Sequence, residues 1–129
     1  MRRTLVVIGI QLSLAAAVVW AADVDISTDL MQSIEDTTKD LDSNVALKDG
    51  QQALHDAKAL ATLFDEVEQH FHQASDAPRG VELSQQSHRL VDAVASKVAA
   101  NDFDAAATSV DQLEHTCKQC HQLYKPPKP

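Results

Sequence analysis

The chain has 129 residues, a length that predicts one domain, and 44% of them are hydrophobic while only 4% are aromatic. Nineteen acidic residues against eleven basic ones give a formal net charge of −8. That sign is wrong for a chain that grips nucleic-acid phosphates. It suits a protein steered toward a basic patch on a partner, although most such charges serve as solvated helix faces.

Residues 1–21 read as a secretory signal peptide. Arg2 and Arg3 form the charged start, an apolar run follows from Leu5 to Val19, and Val19-Trp20-Ala21 offers small residues for cleavage. The run approaches spanning length, so an uncleaved membrane anchor is the competing reading. No cysteine lies near the cut, which excludes a lipoprotein. Cleavage would leave residues 22–129 as the folded domain. It removes two basic and no acidic residues, so the net charge becomes −10.

The rest of the chain predicts four helices, because glycine is scarce and Ala, Leu, Gln, Glu and Lys dominate. The first is expected from Ser27 to Lys48, with Leu30/Met31, Ile34, Thr38, Leu41 and Val45 inward and Asp49-Gly50 ending it in a left-handed glycine turn. The second is expected from Gln51 to Gln73 on the stripe Leu54, Leu60/Ala61, Phe64, Val67 and Phe71. Turn residues fill 74–80. The third is expected from Val81 to Ala100, with Leu83, Leu90, Val94 and Val98 inward, and Asn101-Asp102 breaks and recaps the chain. The fourth is expected from Phe103 to Tyr124, before a proline-stopped tail at 125–129. Four helices of about 20 residues with short connections predict an all-α, antiparallel up-down-up-down four-helix bundle.

The fourth helix carries Cys117-Lys118-Gln119-Cys120-His121, which uses both cysteines of the chain. Cys-x-x-Cys-His is the attachment signature of a c-type haem. Each thiol can add to one vinyl group, and His121 can reach the iron as an axial ligand. On a helix the three side chains share one face. A thioredoxin-like pair would need a strand–helix context that is not evident here. A structural zinc site would want a second pair of ligands. A disulfide in an oxidising compartment would leave His121 without a role.

A second iron ligand is sought on the opposite wall. Met31 is the one methionine of residues 22–129 and sits a turn into the first helix, at the bundle end where the fourth helix finishes. A thioether opposite an imidazole raises the reduction potential and suits electron transfer. Met31 as ordinary core filler, leaving a five-coordinate iron, is the alternative. His70 is the runner-up ligand, while His55, His72, His88 and His115 read as surface or otherwise satisfied histidines. Phe71, Val67 and Leu83 are expected to line the pocket, with Arg79 and Lys125 as candidates to neutralise propionates.

Over residues 22–129, four helices with Cys117-x-x-Cys120-His121 near the C-terminus resemble the class II c-type cytochromes of the cytochrome c-prime group. The resemblance implies one covalent haem c per chain near one end of the bundle, with His121 proximal, and a periplasmic location, since such haem is attached outside the cytoplasmic membrane. It also admits a homodimer. Low-spin members carry a methionine where Met31 stands; high-spin members leave an open site that binds small gases. Members often carry a basic residue in the first helix near the propionates, and no arginine is present there. The expected function is that of a periplasmic mono-haem electron carrier working with redox partner proteins. It is not an enzyme, since no acid–base or nucleophile constellation is evident. A five-coordinate gas-binding cytochrome and a non-haem helical binding module are the alternatives. Neither nucleic acid nor, once the signal is cleaved, the membrane is an expected partner.

Overall fold

A computed structural model of the chain describes residues 26–124. The expected signal peptide at residues 1–21 and the tail with Lys125 lie outside the described residues. Within them the chain forms four helices and no strand: α1 (Thr28–Ala46), α2 (Gly50–Gln73), α3 (Pro78–Ala99) and α4 (Phe103–Tyr124). Each packs on its neighbours in sequence, and α4 closes on α1. Connections this short force antiparallel neighbours, so the architecture is the up-down-up-down bundle. None of these helices is long and apolar enough to cross a membrane.

The helix starts are built locally. Ser27 caps α1, its hydroxyl accepting from the Leu30 amide at 3.1 Å. Asp49 and Asp102 do the same for the Gln52 and Ala105 amides, each at 3.1 Å. α3 opens on Pro78, whose missing N–H costs nothing in a first turn.

Three expectations are corrected here. Gly50 does not end α1 in the left-handed region. Lys48 takes that conformation (φ 58°), and Gly50 opens α2 behind the Asp49 cap. The 74–80 turn is shorter than expected, because Pro78 starts α3 and draws Arg79 and Gly80 into the helix.

The third correction concerns which residues face inward. Leu54 is 39% exposed and off the core, and the α2 stripe runs instead through Ala53, Asp56/Ala57, Leu60, Phe64, Val67 and Phe71. On α3 the fully buried position is Val91; its neighbour Leu90 is only partly covered. Both leucines sit one residue, about 100°, off the true stripe. Alanines at 53 and 57 let α2 approach closely, and the buried Asp56 carboxylate accepts from Asn44 Nδ2 of α1 at 2.7 Å.

Candidate functional site

At the end where α1 begins and α4 finishes, the bundle is not filled. Ser84 and Ser87 occupy core-facing positions of α3 where longer apolar residues would meet their neighbours, while the space beside Gly80 is filled by the Phe71 ring. The space left is a cavity of about 840 Å³, within the range of small-molecule and cofactor sites. α1 contributes Met31, Ile34 and Thr38 to its wall; α2, Phe64, Val67 and Phe71; α3, Leu83, Ser84 and Ser87; and α4, Cys117, Cys120, His121 and Tyr124.

Antiparallel packing sets the heights. Met31 is three residues from the start of α1, and His121 three residues from the end of α4. At 1.5 Å per residue each is about 4.5 Å from the same end, on walls contributed by different helices. The two candidate ligands therefore border one cavity at one level. His70, the runner-up, is half-buried and is not among the lining residues; His55, His72 and His115 are exposed. His72 and His88 are engaged on the outside, His72 with Glu68 and His88 with Asp65 and Asp92.

The two sulfurs are free thiols, both partly covered and both facing the cavity. Burial pushes each up to about 11; for Cys117 the neighbouring Cys120 and Glu114 add to the rise. Both are therefore protonated at neutral pH, unlike the low-pKa first cysteine of a dithiol oxidoreductase. Among the described residues, no group of three or more His, Cys, Asp or Glu side chains is placed to hold a bare metal ion. The donor set instead fits the haem implied by the Cys-x-x-Cys-His run. Two thiols stand on one wall, an imidazole and a thioether border the same space, and aliphatic and phenyl surface would surround a planar apolar group.

Phe71, Val67 and Leu83 line the cavity as expected. Phe71 is held from two sides. Its ring lies 4.8 Å from that of Tyr124 at 56°, and it rests on Gly80 so closely that a Cβ there would overlap it. Arg79 does not line the cavity. It is exposed and pairs with Glu82 one turn on, because the early start of α3 turns it to the outside. The cations that do border the cavity are Lys39 on α1 and Lys118 on α4, accompanied by Glu35 and Glu114.

The hydroxyls of Thr38, Ser84 and Ser87 on the wall are committed. Thr38 donates to the Ile34 carbonyl at 2.7 Å, Ser87 to that of Leu83 at 3.0 Å, and Ser84 to those of Gly80 and Val81. They satisfy themselves within their own helices and leave the cavity largely apolar.

Comparison with family models, with curated proteins and with solved structures gives no match for this chain.

Proposed function

We propose that this chain is an exported mono-haem c-type electron carrier of the class II type, with haem bound covalently through Cys117 and Cys120. In this reading His121 is the proximal iron ligand and Met31 the distal one. The observation that carries it is the shared cavity: both thiols of the attachment signature, the imidazole that follows them and the only methionine of residues 22–129 all border it, Met31 and His121 at one height. The haem would supply a one-electron iron couple. The protein would hold it through Cys117, Cys120, His121 and Met31 and would keep water from it with Ile34, Phe64, Val67, Phe71 and Leu83. Two fixed ligands keep rearrangement on electron transfer small, and a thioether ligand places the potential toward the oxidising side. An acidic surface favours partners with a basic docking patch.

The test is an optical spectrum of protein made in a host that matures c-type cytochromes. The expected product is red, carries a haem-sized mass addition, and is low-spin with a methionine–iron charge-transfer band. Met31→Ala should convert it to a high-spin form that takes up carbon monoxide. An unchanged spectrum in that variant removes Met31 from the site. A colourless product whose two sulfurs are joined to each other removes the haem.

A further inference from the structure

α1 and α4 are the least closely packed of the neighbouring helix pairs, and the cavity lies between them. Four charged side chains border it there, two from each helix: Glu35 and Lys39 from α1, Glu114 and Lys118 from α4. Their order along the two helices is complementary. Glu35 is seven residues into α1, about 10 Å from the open end, and Lys118 is six residues from the end of α4, about 9 Å. Lys39 is about 16 Å in, and Glu114 about 15 Å. Because the helices run in opposite directions, each acid on one wall stands level with a base on the other.

We infer that these four residues form a latch across the α1/α4 seam, and that α1 is the wall that moves to admit and then enclose what the cavity holds. The inference does not depend on the haem reading, since it needs only the cavity and the register of charges around it. Within α1, Lys39 Nζ donates to Glu35 at 2.7 Å, and that hydrogen bond and the charge beside it raise the lysine pKa; both side chains are mostly exposed. An ammonium group has three donors, so Lys39 can hold Glu35 and still engage Glu114 when α1 approaches. In the structure Lys39 and Glu35 are mostly exposed and bonded to each other within α1, so the cross-seam pairs form only as α1 closes on α4. The latch is therefore weak and reversible, as exposed ion pairs are, and sensitive to salt. α2 and α3 are less able to move, because they share the most extensive helix–helix interface of the bundle.

The test is a charge exchange read by hydrogen–deuterium exchange on the mature chain as secreted. Glu35→Lys and Lys118→Glu are each made alone and then together, with far-UV circular dichroism confirming that helix content is kept. Each single reversal sets like charges level across the seam. Exchange over residues 28–42 should then rise by about two- to five-fold, the coupling typical of an exposed pair. The double variant restores opposite charges in swapped positions and should return toward the parent rate. Sodium chloride at 0.5 M should narrow the differences. A double variant whose effect is the product of the two single effects overturns the latch. So does faster exchange in α2 equal to that in α1, which would mean general loosening and not movement of one wall.

Discussion

Leu41 and Val45 of α1, Ala53 and Leu60 of α2, Val91 and Val94 of α3 and Ala106 and Val110 of α4 meet in the half of the bundle away from the cavity, each at most 2% exposed. In the other half the same four helices bring Ile34, Phe64, Val67, Leu83 and Cys117 around open space; there α3 supplies Ser84 and Ser87, and the closed half has valines. One half is a scaffold packed to its own side chains. The other encloses open space, and two serines on α3 contribute to the difference.

The largest test of this contrast is truncation in the closed half. Leu113 is fully buried and surrounded on all sides, so Leu113→Ala should cost about 2–5 kcal/mol, read as a lowered urea midpoint. Ser87→Ala at the cavity wall removes only a hydroxyl bonded to its own helix. It should change stability by less than about 1 kcal/mol. Equal costs at the two positions would mean that the open half is as tightly constrained as the closed one.

The bundle itself was legible in the sequence, since apolar residues at helical spacing and short polar connections leave little choice of architecture. Motif and counting residues from a helix end brought Cys117, Cys120, His121 and Met31 to one end of the bundle, where all four border the cavity. Leu54 and Leu90 misled because a leucine reads as core whatever its angle, while the alanines at 53 and 57 and the Val91 position carry the actual stripe. The cavity had a signal that hydrophobic pattern reading passes over: Ser84 and Ser87 interrupt the apolar face of α3 at core spacing. Arg79 misled for a different reason. Whether a cation beside a helix start faces a pocket depends on where that helix begins, and Pro78 moved the beginning by three residues.

A middle-sized effect is expected where the open half is held in shape. Phe71 is almost fully buried, rests on Gly80 and packs against Tyr124 at the end of α4. Gly80→Ala should push the ring toward the cavity and cost about 1–3 kcal/mol by overpacking. A weakened tyrosine signal in near-UV circular dichroism should accompany that loss, because Tyr124 loses its fixed neighbour. A variant with parent stability and an unchanged Tyr124 signal would show that Phe71 has room to spare, and that the open half is larger than its walls indicate.

The smallest effect concerns how the open half is tied from outside. Glu68 of α2 accepts from Gln85 of α3 at 2.7 Å and from His72 at 3.1 Å. The Gln85 hydrogen bond, with help from His72, holds its carboxyl below the usual carboxylate value of 4.5. A carboxylate whose folded pKa is depressed adds stability that is present above its unfolded pKa and is lost as pH falls through the folded value. The tie should therefore be complete above about pH 4.5 and fade below it. Glu68 is partly exposed and solvent screens the interaction, so Glu68→Gln should lower stability at pH 7 by less than about 1 kcal/mol. Parent and variant should converge as the pH drops, read by denaturant titrations at pH 7, 5 and 3. A difference that stays constant across that range would mean the link between α2 and α3 rests on the shape of the side chain and not on its charge. The open half would then be tied by packing, as the closed half is.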